Sequence, residues 1–244
     1  MAQFLGVPWK PARRKPGAGS QGEESTAVYL SPETIAAEVI RSHPAVNGDV
    51  GAARLARVDE YDTFRVLRID LPTPPDEKQK KSFRPIHSVV RSDGVTIWKK
   101  GYPLGLRPLF RRAELDASPD TSMVVVCGGE KAASAAAAMG LVATTCAGGE
   151  RAIDQTDWRP LARFSLVVVC IDNDPTGKSY GESVCTVAKK INPAAATKVL
   201  LLPGLPAKGD IVEWIAAGGT RDQFLRLVAE APEWTPPRTG ATED

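Results

Sequence analysis

Three short segments of the chain carry side chains whose types and spacing suit chemistry. Asp172-Asn173-Asp174 follows the apolar run 166–171. Two carboxylates two residues apart at a strand end can both reach one hard cation. Mg²⁺ needs only one or two carboxylates, because it keeps waters and substrate phosphates as its other ligands. Asp and Asn equally suit a turn or a helix cap. Gly128-Gly129-Glu130-Lys131 follows a second apolar run, Met123–Cys127. Glycines there let a backbone pass close to a ligand, and Glu130 and Lys131 then open a helix. A glutamate in a first helical turn also complements the helix dipole without any chemical role. The third segment is Gly209-Asp210, followed by Ile211, Val212, Glu213 and Trp214. Asp210 offers another carboxylate to a cation, or a cap to the helix it precedes.

The elements that must position these residues follow from the hydrophobic pattern. Apolar runs at 123–127, 141–145, 166–171 and 198–202 alternate with helical stretches at 131–139, 175–191, 211–216 and 220–231. Continuous apolar strands separated by helices predict a parallel sheet covered on both faces. Such sheets place ligands beyond the carboxyl ends of their strands, where 128–131 and 172–174 fall. The expected fold class is therefore α/β, a Rossmann-like, mostly parallel sheet with helices on both faces.

The first half of the chain reads differently. Residues 1–26 are rich in Pro, Gly, Lys and Arg, lack periodicity, and predict a disordered basic arm. Ser31-Pro32-Glu33 is a helix start running to about Arg41. Extended runs at 64–69 and 83–90 follow, and Ser92-Asp93-Gly94 turns the second into 95–99, a hairpin signal. Arg84, Lys99 and Lys100 sit on these strands with Phe83 and Trp98 nearby, and Arg111 and Arg112 lie in a short helix expected at 108–115. A basic face with interleaved aromatics can hold a nucleic-acid backbone; half-buried strands with a solvated basic face give the same pattern. The expected domains are the arm at 1–26, a small basic α+β region at 27–115, an α/β domain at 116–235 and a tail at 236–244.

Charge agrees with that division. The net charge is +2. Residues 1–115 hold 19 Lys/Arg against 13 Asp/Glu, and residues 116–244 hold 12 against 16. A basic half joined to an acidic half points to a polyanion-binding part beside a cation-binding part. Cys127, Cys146, Cys170 and Cys185 are too widely spaced for a zinc ribbon or a redox pair, so no zinc is expected. No apolar run approaches a membrane span. The N-terminal charges follow the short apolar stretch, the reverse of a secretory signal, which predicts a cytoplasmic chain. A phosphate-binding loop of the Gly-x-x-x-x-Gly-Lys-Ser/Thr type is absent, which excludes a helicase ATPase in this sequence.

The order strand–GGEK–helix, strand–TTCAGG, strand–DND–PTG–helix, strand–LPGLPAKGD–helix resembles the Toprim domain. The form it resembles is that of primases of phages, plasmids and related mobile elements. The matching segments are 124–131, 142–149, 167–177 and 201–214, and the likeness extends over about residues 82–235 with the FRPIH and PLFRRAEL stretches. The resemblance implies that Asp172 and Asp174 are divalent-metal aspartates, with Asp210 as a further acid beside them and Glu213 in place of an aspartate. It implies Mg²⁺ or Mn²⁺ as cofactor. Lys131 and Lys178, like the strand cations, become candidates for phosphate contacts.

One departure matters. The family's first glutamate, its usual acid/base, falls at Gly128. Glu130 matches the second glutamate and is the remaining candidate for a catalytic role. On a continuing strand its side chain would share a side with residue 128; in a helix it would not. The resemblance implies a protein that binds Mg²⁺, single-stranded DNA template and NTPs and makes RNA primers or supports their synthesis, with a separate helicase as partner. The alternatives are a catalytically degenerate DNA-binding accessory module and a metal-dependent nuclease of the same fold. An α/β domain whose aspartates only cap helices is the remaining reading.

Overall fold

Apolar β-branched runs dominate the centre of the molecule. In the computed structural model, which describes residues 29–43, 53–74, 76–119 and 122–236, they form the middle of a parallel sheet. The basic arm expected at 1–26 and nearly all of the tail lie outside the described residues. The parallel sheet contains β5 (Met123–Cys127), β6 (Ala143–Thr144), β7 (Leu166–Cys170) and β8 (Ala196–Leu200), in the order β6-β5-β7-β8. Val124 to Cys127 pair residue by residue with Val167 to Cys170.

Both faces of this pair are buried, which explains why neither strand alternates. Val125, Cys127, Val168 and Cys170 pack with α3 (Glu130–Ala138), α5 (Ile211–Ala216) and α6 (Arg221–Glu230) through Ala133, Ala136, Ile211 and Phe224. Val124, Val126, Val167 and Val169 pack with α4 (Pro175–Ile191) through Tyr180, Val184 and Ala188. Each fully buried Val or Leu side chain contributes about 1.5–3 kcal/mol relative to exposure. The mixed α/β class and the parallel sheet match the expectation. All four cysteines are free and buried. Among the described residues, no helix is long and apolar enough to cross a membrane.

A second sheet precedes it. Here β1 (Arg54–Glu60), β2 (Arg65–Asp70), β3 (Lys81–Val90) and β4 (Thr96–Lys100) run antiparallel in chain order. Alternation along β2 and β3 gives this sheet two different faces. Leu67, Ile69 and Ile86 point to α1 (Pro32–Arg41) and meet Ile35, Ala36 and Val39. Ser31 caps that helix, exchanging hydrogen bonds with Thr34. The opposite face carries Val66, which joins Tyr61, Phe64 and Phe110 in the same cluster as Val125 and Val168. The two sheets thus share a hydrophobic core.

Several elements differ from the sequence pattern. β1 has no apolar period because it is an edge strand: Asp59 is its one buried residue, and a bulge separates Leu55 from Arg57. The helix expected at 108–115 begins later, as α2 (Arg112–Ala117), because Arg111 takes a left-handed backbone with φ of 56°. Residues 149–155 and 159–163 form 3-10 turns that the sequence pattern does not show. Leu109 and Leu115 pack into the core of the parallel sheet with Phe164.

Candidate functional site

The acidic side of the site is built by loops that lock onto one another just beyond β7 and β8. Gly177, in the first turn of α4, lies so close to the strand end that a Cβ there would run into the Asp172 backbone. The Asp174 carboxylate caps α4, accepting from the Gly177 amide at 2.8 Å. Asn173 is a clamp: its side-chain amide donates to the Leu205 carbonyl at 2.9 Å. Its backbone amide donates to the Gly209 carbonyl at 2.9 Å, and the Lys208 amide donates back to the Asn173 carbonyl at 3.0 Å. These bonds bring Asp210 to the mouth of the sheet beside Asp172. Asp210 caps α5 by accepting from the Val212 amide at 2.6 Å, while Glu213 accepts from the Asp210 amide at 2.9 Å. The capping and the metal-ligand readings of Asp174 and Asp210 are compatible, since a carboxylate has two oxygens and each cap occupies one.

The charges of these acids register their crowding. Burial, then the neighbouring carboxylates Asp210, Asp174 and Glu213, push the Asp172 carboxyl up to about 6, against the pull of Lys81. Burial likewise raises Asp210, and Glu213 adds to it, whereas the hydrogen bond from the Asp210 amide lowers Glu213. Like charges this close favour a cation between them. Among the described residues no group of three or more His, Cys, Asp or Glu is arranged as a ready-made metal cage. The donor set still suits Mg²⁺, which binds through one or two carboxylates and completes its shell with water and phosphate. Of the three aspartates, Asp172 and Asp210 line one cleft, together with Glu130, and Asp174 lies outside it.

Gly128 borders the same place. A Cβ built on it would lie 2.9 Å from Asp172 Oδ1, so the Asp172 carboxylate occupies space that a side chain at 128 would need. Glu130 is the first residue of α3 and is only 9% exposed. Its Oε1 accepts from the Tyr61 hydroxyl at 2.9 Å. The Tyr61 ring stacks on Phe64 with centroids 4.3 Å apart and touches Phe110. Burial raises the Glu130 carboxyl; its backbone and Tyr61 hydrogen bonds lower it, Asp59 raises it and Arg57 lowers it. The strand and helix alternatives are thereby resolved: Glu130 belongs to the helix and engages the antiparallel sheet.

The other wall of the cleft is basic. Arg57, Arg68, Lys81 and Phe83 face Asp172, Asp210, Glu130 and Lys131 around a cavity of about 370 Å³. Arg57 pairs across β1–β2 with Arg68, and Arg68 across β2–β3 with Phe83, so the three form one row. Asp59 holds Arg57 through two hydrogen bonds of 2.6 and 2.9 Å. Arg68 approaches Asp70 at 3.3 Å, while its Nε is buried with no hydrogen-bond partner. Burial lowers Lys81, and so do Arg68, Lys78, Lys131 and Arg57. Positive charge is crowded here and would be relieved by an anion.

The remaining predicted residues are spread over other surfaces. Arg84 Nη2 lies 3.1 Å from His43 Nε2, and Lys100 Nζ lies 3.5 Å from Ser42 Oγ, both at the C-terminal end of α1. These two sit on the opposite face of the sheet from Arg68. Lys99 pairs with His87 on the strand beyond Phe83. Arg111 is ion-paired with Glu114 at 3.1 Å and Arg112 with Asp116 at 2.9 Å, beside a separate cavity under β1. Lys178 is exposed in the first turn of α4. Sequence reading missed Arg57, Arg68, Lys81 and Tyr61. The signal that finds Arg68 and Lys81 is the pairing register of β2 and β3, and Arg57 joins them only once β1 is recognised. A larger groove of about 680 Å³ lies between residues 203–206, α5 and α6, but contains neither Asp172 nor Asp210.

No protein-family model matches the chain, and no curated protein matches it. Solved structures do, among them domains of DNA primases. A DNA primase domain from Pseudomonas aeruginosa is 18% identical, aligning 66% of this chain with 56% of that one at a TM-score of 0.41. A DnaG primase catalytic domain solved with single-stranded DNA is 14% identical, over 84% of this chain and 71% of that one, at 0.43. The E. coli primase catalytic core is 15% identical, over 84% and 70%, at 0.44. The chain thus spans little more than half of the Pseudomonas domain.

Proposed function

We propose that this chain is a primase-type Toprim protein that binds Mg²⁺ and single-stranded DNA and acts in DNA replication, by RNA primer synthesis or in its support. The observation that carries this reading is the two-walled cleft. Asp172, just beyond β7, and Asp210, at the start of α5, face Arg57, Arg68 and Lys81 from a second sheet. A carboxylate pair opposite a cation row suits a phosphate chain with a divalent ion between the two. When bound, Mg²⁺ would orient phosphates and stabilise charge on the reacting oxygens. The chain's own residues would divide the rest of the work. Asp172 and Asp210 would hold the ion, and Arg57, Arg68, Lys81 and Lys131 would fix phosphate oxygens and neutralise them.

Primer synthesis also requires a group to take the proton of the attacking 3′ hydroxyl. Position 128 has no side chain, and Glu130 is the remaining glutamate lining the cleft. Its Oε1 is engaged by Tyr61. That bond and Gly128 favour a second reading, an accessory module that binds DNA and metal without efficient turnover. Loss of an acid/base typically costs about 10²–10⁴-fold in rate.

Incubating the chain with single-stranded template, NTPs and Mg²⁺ separates the two. Labelled oligomers from the unmodified chain, lost in Glu130→Gln, establish synthesis; oligomers appearing only in Gly128→Glu establish the accessory reading. Calorimetry tests the shared premise. The Mg²⁺ binding heat should vanish in Asp172→Ala/Asp210→Ala, and a heat unchanged in that variant rejects the metal assignment.

A further inference from the structure

We propose that Phe83 is a stacking platform for a base of single-stranded DNA whose phosphates lie on Arg57, Arg68 and Lys81; this rests on the nucleic-acid reading above. Alternation along β3 buries Ser82 and Ile86 on the α1 side and turns Lys81 and Phe83 to the cleft. Phe83 is 42% exposed, and no other strongly exposed large apolar residue among those described lines that cleft. A single exposed apolar side chain needs no explanation in itself. What sets Phe83 apart is its company.

The pairing register puts Arg68 directly beside it on β2 and Arg57 beyond on β1. Neighbouring strands are spaced about 4.8 Å apart, so the ring and the nearest guanidinium stand on adjacent strands of one surface. Lys81, two residues before Phe83 on the same face, has its Nζ 5.9 Å from the ring centroid. The ring thus has Arg68 beside it across the sheet and the Lys81 ammonium above it from the same strand, both within the span of a nucleotide whose base lies flat on the ring. Surfaces that hold single strands without reading sequence combine these same two parts, a cationic track and aromatic faces. Trp98 does not complete such a track at this site: it lies on the α1 face with Arg65 over its ring at 4.9 Å.

The test uses the full chain and two labelled probes by fluorescence anisotropy: a 12-mer of thymidylate, and an abasic 12-mer carrying the same phosphates. Phe83→Ala should weaken binding of the thymidylate strand by about fivefold to a hundredfold and leave the abasic strand within twofold. Phe83→Tyr should keep the thymidylate affinity, and Phe83→Leu, which restores apolar bulk without a ring face, should not. Circular dichroism of the variants, expected to be unchanged for so exposed a residue, checks folding. Equal weakening of both probes in Phe83→Ala, no weakening of either, or full rescue by Phe83→Leu overturns the platform while leaving the nucleic-acid reading intact. Absence of binding to either probe by the unmodified chain overturns that reading, and the platform with it.

Discussion

The two walls of the cleft are made in opposite ways. The acidic wall comes from consecutive residues: Asp172 to Gly177 form one turn, and Asp210 to Glu213 form another, tied to the first through Asn173, Lys208 and Gly209. Asn173, Asp174, Asp210 and Glu213 also have local structural duties as caps or clamps. The basic wall draws Arg57, Arg68 and Lys81 from three strands, aligned only when those strands pair. A site folded from two short turns locked together by backbone bonds is therefore rigid and intolerant of backbone change. A site assembled across a sheet is a set of separable charges, whose members can be lost one at a time.

That difference is broken or upheld most sharply at Gly177. Alanine there must displace the Asp172 backbone itself, and overpacking of this kind costs about 1–3 kcal/mol. Gly177→Ala should lower the urea midpoint accordingly and weaken Mg²⁺ binding with it. Gly128→Ala is the control. Its Cβ would meet only the mobile end of the Asp172 side chain, so stability should change by less than about 1 kcal/mol. Equal costs at the two glycines would mean that the acidic turn is more pliant than its hydrogen bonds indicate.

The basic wall should fail more gently. Removing one phosphate contact from a single-strand complex lowers the slope of log K against log salt by about 0.7, which is about fivefold in affinity at 0.1 M salt. Arg68→Ala should show this change for the thymidylate strand and the abasic strand alike. Lys100→Ala, on the α1 face beside Ser42, should leave both slope and affinity unaltered. A reversed result would move the nucleic-acid track to the other side of the antiparallel sheet.

The same contrast accounts for what could be read before folding. The strands 123–127 and 166–170 announce themselves through unbroken apolar runs, Asp172 and Asp174 through their place at a strand end, and Asp210 as an acid ahead of a helix. Their division of labour was open, because Asp serves equally as ligand and cap; only the bonds to Gly177 and Val212 show that Asp174 and Asp210 each cap a helix. β1 was illegible because an edge strand with one buried residue has no hydrophobic period. Without β1 nothing aligns Arg57 with Arg68, although β2 and β3 alone set Arg68 beside Phe83. Strand polarity alone drew attention to Arg84 and Lys100, whose parity places them on the α1 face. Gly128 was visible as a departure, but not that Asp172 fills the space beside it.

The joint between the walls supplies the smallest effect. Glu130 is buried against Tyr61 and also senses Asp59 and Arg57, while Tyr102 and Cys146 are raised first by burial and only further by its charge. Because burial raises its pKa in the folded chain, the native state binds a proton that the unfolded chain has already released. Stability therefore falls as pH rises from the ordinary glutamate range, about 4.3, through the raised value. Gln at this position keeps an acceptor for the Tyr61 hydroxyl and has no such titration. Glu130→Gln should match the parent below about pH 4 and exceed it at neutral pH by less than about 1 kcal/mol, or no more than about 4 °C in Tm. Tyr61→Phe should have the opposite sign at neutral pH, because it strips the buried carboxylate of its donor. If instead Glu130→Gln is the less stable at neutral pH, the carboxylate is held as an anion by the basic wall. In that case the joint belongs to the charge network of the cleft rather than to the shared core.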